Sequence, residues 1–196
     1  DVPLVVAWSL SLIGLVHSNS GNHSEALSCS LQALDCYRGT GHRVDEGNML
    51  NTIASIYHEL GDTDRAIVNY EAAMNANAQL NRPDFDAITL ANVSSLRAER
   101  GEFDIAIEIG ERALALCRIH AVGFLPEVLA ALASAYGGRG EFDQARTLLN
   151  AALAMLDASS VSFDDAVRAG VELAFGQVEL RASNDEDALT HFLNAL

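Results

Sequence analysis

The chain has 196 residues, 49% of them hydrophobic, which is enough to bury a sizeable core and allows one or two domains. Its 27 acidic residues stand against 12 arginines and no lysine, for a formal net charge of −15. That balance repels phosphate backbones and anionic membrane surfaces, and it removes any lysine of a phosphate loop, Schiff base or general base.

The first element is an apolar run from Val2 to Val16. It has no basic segment before it, contains Ser9 and Ser11, and is read as too short to span a bilayer. Within it begins a pattern that returns along the chain. It reads Leu10-x-x-Ile13-Gly14-x-x-His17, then Leu50-x-x-Ile53-Ala54-x-x-Tyr57, then Leu90-x-x-Val93-Ser94-x-x-Arg97, then Leu129-x-x-Leu132-Ala133-x-x-Tyr136. A weaker version follows at Glu172-x-x-Phe175-Gly176-x-x-Glu179. Large residues at i and i+3 beside a small one at i+4 form one helix face, and the small residue admits a second helix at close range.

A turn follows each of these helices, and a second helix follows each turn. Gly21, Gly61, Gly101 and Gly140 each precede an alanine by five residues, at Ala26, Ala66, Ala106 and Ala145, and Ser183 precedes Ala188. The alanines are 40, 40, 39 and 43 residues apart. A further small residue recurs seven positions on, at Ala33, Ala73, Ala113, Ala152 and Ala195. Glycine ends the first helix because it accepts positive φ at little cost. Asn22, Asp62, Glu102 and Glu141 then set polar or acidic groups at the start of the second helix, where the helix dipole favours them. Pro83 and Pro126 suit starts of first helices or the loops before them. The chain accordingly predicts antiparallel helix pairs over residues 4–40, 44–81, 84–121, 123–158 and 163–196, the last incomplete, within a single repeat domain spanning 1–196. The extra residues of the fifth spacing predict a longer loop or an added helical turn near 159–165. The apolar first helix and the helical pattern running to Leu196 suggest a piece of a longer protein.

This pattern resembles the tetratricopeptide repeat family, whose motif runs Trp-x-x-Leu-Gly-x-x-Tyr followed by Ala-x-x-x-Phe. The likeness covers nearly the whole chain and is best where Tyr57, Ala66 and Tyr70, and Tyr136 and Ala145, fall in register; His17, Arg97 and Glu179 depart at the tyrosine position. The family's usual period is about 34 residues. The longer period here is similar to kinesin light chain and to helical regions of bacterial signalling proteins. The resemblance implies an all-α fold: a right-handed superhelical solenoid with a concave groove lined by the first helix of each pair. It places groove positions at Trp8, Ser11, Leu12 and Leu15, at Asn48, Asn51, Thr52 and Ser55, at Asn92 and Ser95, and at Glu127 and Ser134. His58, Glu59 and Glu99 lie one turn further on. Asn51 and Asn92 match positions where long-repeat members hold a peptide backbone, which an amide can do with both its donor and its acceptor. No lysine or arginine falls in the central groove, so a carboxylate clamp is not expected.

Sequence motifs for chemistry are lacking. Six histidines are scattered without a His-x-x-x-His pair, and no Cys-x-x-Cys exists, so no metal site is expected. The glycines at 137–140 lack the following lysine of a phosphate loop and end a helix. The acidic run from Ser183 lacks a calcium-loop pattern and starts a helix. No Gly-x-Ser-x-Gly elbow occurs. Cys29 and Cys36 lie about two helical turns apart, roughly 10 Å, beyond disulfide reach. With Cys117 they read as buried free thiols in a reducing, cytoplasmic compartment. No catalytic residue and no cofactor is expected. The expected function is a non-catalytic scaffold that binds a neutral or basic protein or peptide segment, within a larger bacterial signalling or regulatory protein. The alternative is a self-association module controlling an attached output domain, such as a nucleotide cyclase or a DNA-binding domain. The bacterial source rests on the alanine-rich, lysine-free composition.

Overall fold

The computed structural model describes residues 2–158 and 165–196. Among these residues it contains ten α-helices and no strand. They run α1 Val2–Asn19, α2 His23–Thr40, α3 Arg43–Glu59, α4 Thr63–Leu80, α5 Pro83–Glu99, α6 Phe103–His120, α7 Leu125–Arg139, α8 Phe142–Ala158, α9 Asp165–Arg181 and α10 Asp185–Asn194. A short 3-10 turn, Val122–Phe124, precedes α7. Pro83 opens α5 and Pro126 sits in the first turn of α7, where a missing N–H costs nothing. The longer connection expected near 159–165 lies, but for Asp165, outside the described residues.

Each odd-numbered helix reverses into the next through one repeated backbone device. The turn residue is left-handed every time: Gly21, Gly61, Gly101 and Gly140 at φ 73, 77, 76 and 90°, and Ser183 at φ 63°. Left-handed φ costs an ordinary L-residue about 1 kcal/mol or more, which is why four of the five are glycine. The residue after the turn gives its N–H to a carbonyl five positions back: Asn22 to His17, Asp62 to Tyr57, Glu102 to Arg97, Glu141 to Tyr136 and Asn184 to Glu179, all at 2.8–3.0 Å. This pairing satisfies carbonyls that a helix end would otherwise leave without partners. The same post-turn residue accepts the N–H of the anchor alanine, at 2.9–3.1 Å for Ala26, Ala66, Ala106, Ala145 and Ala188. Of the post-turn side chains, Asp62 caps its helix, accepting from the Arg65 N–H at 3.1 Å, whereas Asn22 and Glu102 make no such bond.

Small residues then set how near the paired helices come. Ala26, Ala66, Ala106 and Ala145 have no exposed surface, nor do Ala54, Ser94 and Ala133 on the facing helices. In the α5–α6 pair the two positions touch, with Ser94 Oγ donating to the Ala106 carbonyl at 2.7 Å. A Cβ on Gly14 would meet Ser30 Oγ at 3.1 Å, and one on Gly176 would meet the Phe192 ring at 2.5 Å.

The helices divide into two compact units, residues 1–89 and 90–196, with the division inside α5. In the first unit α1 packs on α2, α2 on α3 and α3 on α4, around Leu50, Ile53, Ile56, Tyr57 and Tyr70. In the second, α6 packs on α7, α7 on α8 and α9, α8 on α9 and α9 on α10, around Leu96, Val128, Leu132, Leu149, Val171 and Val178.

Two expectations need correction. The apolar run at the start extends as a helix through Asn19, and these 18 residues are by length and composition enough to cross a membrane. The helix also has a folded role, burying Ala7 and Gly14 and packing on α2. Of the three free cysteines only Cys117 is buried; Cys29 and Cys36 are half-buried, because both lie beside the Ala26–Ala33 stripe of α2 and not on it.

The close approach at the anchor alanines gives a direct test. Ala106→Leu is expected to destabilise the protein by about 1–3 kcal/mol, since the added side chain has to push α5 away. Ala115→Leu, on an exposed position of the same helix, is expected to stay within about 0.5 kcal/mol of the parent. Urea unfolding followed by circular dichroism measures both, and equal midpoints contradict the packing.

Candidate functional site

In the first unit, the candidate residues of α3 stand half-buried: Asn48, Asn51, Thr52, Ser55 and His58. Several are held by the chain itself. Thr52 Oγ1 donates to the Asn48 carbonyl at 3.1 Å, and Ser55 Oγ shares a hydrogen bond with the Tyr70 hydroxyl at 3.0 Å. Asn51 Oδ1 accepts from Thr89 Oγ1 at 3.1 Å, leaving its amide N–H donors unengaged among the described residues. Asn48 Oδ1 is buried without a partner. Glu59 turns away from this set, its Oε2 lying 2.9 Å from His23 Nδ1 and accepting from Ser18 Oγ at 3.4 Å. Around α1, Trp8 with Leu4 and Val5 lines an open hollow of about 360 Å³, shared with Tyr37 of α2, His42 and Asp45. Ser11 Oγ shares a hydrogen bond with the hydroxyl of that Tyr37 at 3.1 Å.

In the second unit the structure brings three candidate residues together. Ser95 and Glu99 of α5 and Ser134 of α7 line one hollow of about 120 Å³ with Ala98 and with Gln177, Val178 and Arg181 of α9. Ser134 Oγ donates to the Ala130 carbonyl at 3.0 Å, which leaves its lone pairs able to accept. Asn92 lies one turn before Ser95 on α5, half-buried, and does not line this hollow. Glu127, at the start of α7, has Oε2 buried without a partner, and burial raises its carboxyl above the ordinary range. Burial, with the Glu127 charge second, pushes the Cys117 thiol up to about 11, so it stays a neutral thiol that donates to the Ala121 carbonyl at 3.0 Å.

Gln177 and Arg181 were not singled out from the sequence, although the signal was there. They stand five and nine positions after Glu172, as Ser55 and Glu59 stand after Leu50. The fifth copy's register was legible at Glu172-x-x-Phe175-Gly176-x-x-Glu179, but the groove positions were not carried into it. Glu172 itself is 5% exposed, and it bonds His191 Nδ1 at 2.6 Å while that ring stacks on Phe175.

The departures at the tyrosine position are paired as well. Glu179 is 3% exposed and accepts from Nε and Nη2 of Arg146 at 2.7 and 2.8 Å, and from the Asn184 amide at 2.7 Å. These bonds, the Arg146 pair first, outweigh burial and hold its carboxyl below the ordinary glutamate value of 4.5. Arg97 reaches Glu102 at 2.7 Å. Tyr136 donates to Glu111 at 2.6 Å, and that bond raises its hydroxyl to about 12. Among the described residues no group of three or more His, Cys, Asp or Glu side chains is placed to hold a metal ion.

A family model described as tetratricopeptide repeat matches residues 5–79 and 45–119. No curated protein matches the chain. Among solved structures, BtubC (BKLC) from P. vanneervenii superposes with a TM-score of 0.74 at 19% identity, covering 98% of this chain and 79% of its own. A Podosopora anserina kinesin light chain candidate with nearly identical TPR-like repeats gives 0.66 at 16% identity, covering 98% of this chain and 94% of its own. Aspartyl phosphate phosphatase F from Bacillus subtilis gives 0.74 at 15% identity, covering 96% of this chain and 58% of its own. At such identities these structures share the fold.

The Glu179 pair predicts an acid dependence. A depressed folded value means the stabilisation is complete above the ordinary glutamate value and is lost as pH falls through the folded one. Glu179→Gln is expected to cost about 1.5–3 kcal/mol at pH 7. The gap in thermal midpoint between parent and variant is expected to narrow below about pH 4.5. A gap that stays constant down to pH 3 rules out the ion pair as its source.

Proposed function

The chain belongs to the tetratricopeptide repeat family, and from that premise we propose that it is a non-catalytic scaffold binding a protein or peptide segment along the faces of its odd-numbered helices. Arrays of this kind stack helix pairs and present extended surfaces to partners. The observation that carries the proposal is the second unit's hollow, where side chains of α5, α7 and α9 converge: hydroxyls from Ser95 and Ser134, an amide from Gln177 and charges from Glu99 and Arg181. Convergent polar groups in one concavity suit a chain with backbone donors and acceptors to match. In the first unit, Asn48 and Asn51 supply the corresponding amides on α3. The net charge of −15 favours a neutral or basic segment. The scaffold works within a larger bacterial signalling or regulatory protein in the cytoplasm, a placement supported by the lysine-free composition and the free thiols.

A second reading is self-association through α1, which would control an attached output domain. It is supported by the apolar side chains that α1 leaves in solvent, including Val2, Val5, Leu12 and Val16 at 78, 61, 44 and 65% exposure.

Affinity capture from the native host's lysate separates the two. The parent, an Asn51→Ala/Asn92→Ala variant and a Ser95→Ala/Ser134→Ala variant serve as bait side by side. The parent is expected to retain a partner protein that one or both variants lose by about tenfold, corresponding to one or two hydrogen bonds. A partner held equally by all three removes the helix faces from consideration. Recovery of only the chain itself, equally by all three, supports self-association.

A further inference from the structure

The hollow beside α1 combines two features: an exposed indole and a carboxylate that the chain's own arginines leave alone. Trp8 is 62% exposed and lines the hollow with the aliphatic side chains of Leu4 and Val5 and the ring of Tyr37. Asp45, on the first turn of α3, lines the same hollow with its side chain 43% exposed. The two arginines nearest in sequence converge on the next residue instead. Arg38 Nε donates to Glu46 Oε1 at 3.0 Å and Arg43 Nη1 to Glu46 Oε2 at 2.8 Å, so both oxygens of the buried Glu46 are filled and Asp45 gains neither cation. The one ion-pair partner of Asp45 among the described residues is the His42 ring, whose Nδ1 is 3.6 Å from Oδ2.

We propose that this hollow is a subsite for one basic side chain, arginine or lysine, presented by a partner chain. The aliphatic stem would lie on Leu4 and Val5, the cation would meet the face of Trp8, and Asp45 would pair with it. Indole is the strongest aromatic acceptor for a cation, and a long basic side chain has an apolar stem suited to the remaining walls. The volume of about 360 Å³ is at the lower end of the range for ligand sites and has room for such a side chain. The chain's charge of −15 brings basic segments to it in preference to acidic ones. This inference refines the peptide-binding reading, and it concerns a different cavity from the second unit's hollow.

Trp8 is the chain's only tryptophan, so its emission reports on this site alone. The probe is the capped pentapeptide Gly-Leu-Arg-Leu-Gly, set against the same peptide with citrulline, which keeps the shape and removes the charge. At low salt the arginine peptide is expected to shift Trp8 emission and to bind about tenfold tighter than the citrulline peptide. In Asp45→Asn that preference is expected to fall to about twofold or less. In Trp8→Leu, read by calorimetry, affinity for the arginine peptide is expected to fall about tenfold. Trp8 is exposed and Asp45 half-buried, and circular dichroism checks that the helices remain. Equal affinity for the two peptides overturns the cationic subsite while leaving the scaffold reading in place, since that reading stands or falls on the capture experiment. An arginine preference that survives in Asp45→Asn overturns it too, as does the absence of any binding at millimolar peptide. Emission that shifts with the protein's own concentration, and is unmoved by peptide, assigns the hollow to a second copy and likewise overturns the proposal.

Discussion

Everything in this fold depends on a helix turning back so closely on its partner that only small residues, alanine, glycine or serine, fit where the two meet. The requirement is met by backbone atoms. One left-handed residue lets the following N–H reach a carbonyl five positions back, and the same post-turn residue receives the N–H of the anchor alanine. The hydrogen bonds fix the chain's direction as it enters the second helix. The alanine, with no exposed surface, fixes how near that helix comes. Neither task needs a particular large side chain.

This division of labour leaves the odd-numbered helices free to vary where the pairing makes no demand. In three of the five copies the carbonyl acceptor comes from His17, Arg97 or Glu179 in place of the family's tyrosine, without any change in the turn. The side chains at that position instead form pairs of their own, Arg97 with Glu102 and Glu179 with Arg146. The exposed face follows a similar logic. Thr52 and Ser134 donate to carbonyls four residues back on their own helices. Each hydroxyl is therefore satisfied in the absence of a partner and keeps lone pairs to accept from one. A face built in this way stays stable when empty, which suits a surface whose occupant comes and goes.

The fold was legible because its determinants are local and repeated. A glycine five residues before an alanine and a small residue in the facing helix can be read along the chain, and each turned out to sit at a turn or a crossing. The candidate site was less so. Spacing places Asn51 and Ser55 on a face, but it does not reveal that Thr89 and Tyr70 already bond them. Nor does it reveal that Ser95, Glu99 and Ser134 share a hollow that Asn92 does not line. Arg181 stands nine positions after Glu172 in a copy whose register is legible, but spacing does not show that α9 brings it beside Ser95, Glu99 and Ser134. The extent of α1 was misjudged for another reason. Polar His17, Ser18 and Asn19 end an apolar pattern without ending a helix, which stops only at the turn around Gly21.

The distribution of charge links the frame to its surface. Nine of the twelve arginines form ion pairs among the described residues, three of them across the turns, Arg97 and Arg100 with Glu102 and Arg139 with Glu141, while Arg65 pairs with Asp62 at the start of α4 and Arg146 of α8 with Glu179 of α9. Exposed pairs of this sort contribute little stability one by one. Their larger effect is on what remains, because cations committed to the frame cannot neutralise the other carboxylates. The field outside the protein is consequently that of the unpaired acids, and it acts on any approaching chain before contact is made. Arg112, Arg118 and Arg181 have no acidic partner among the described residues, and Arg181 is the one of these that lines the second unit's hollow. Long-range attraction thus comes from the acids as a group, while the choice of what docks is left to a few local groups set against that field.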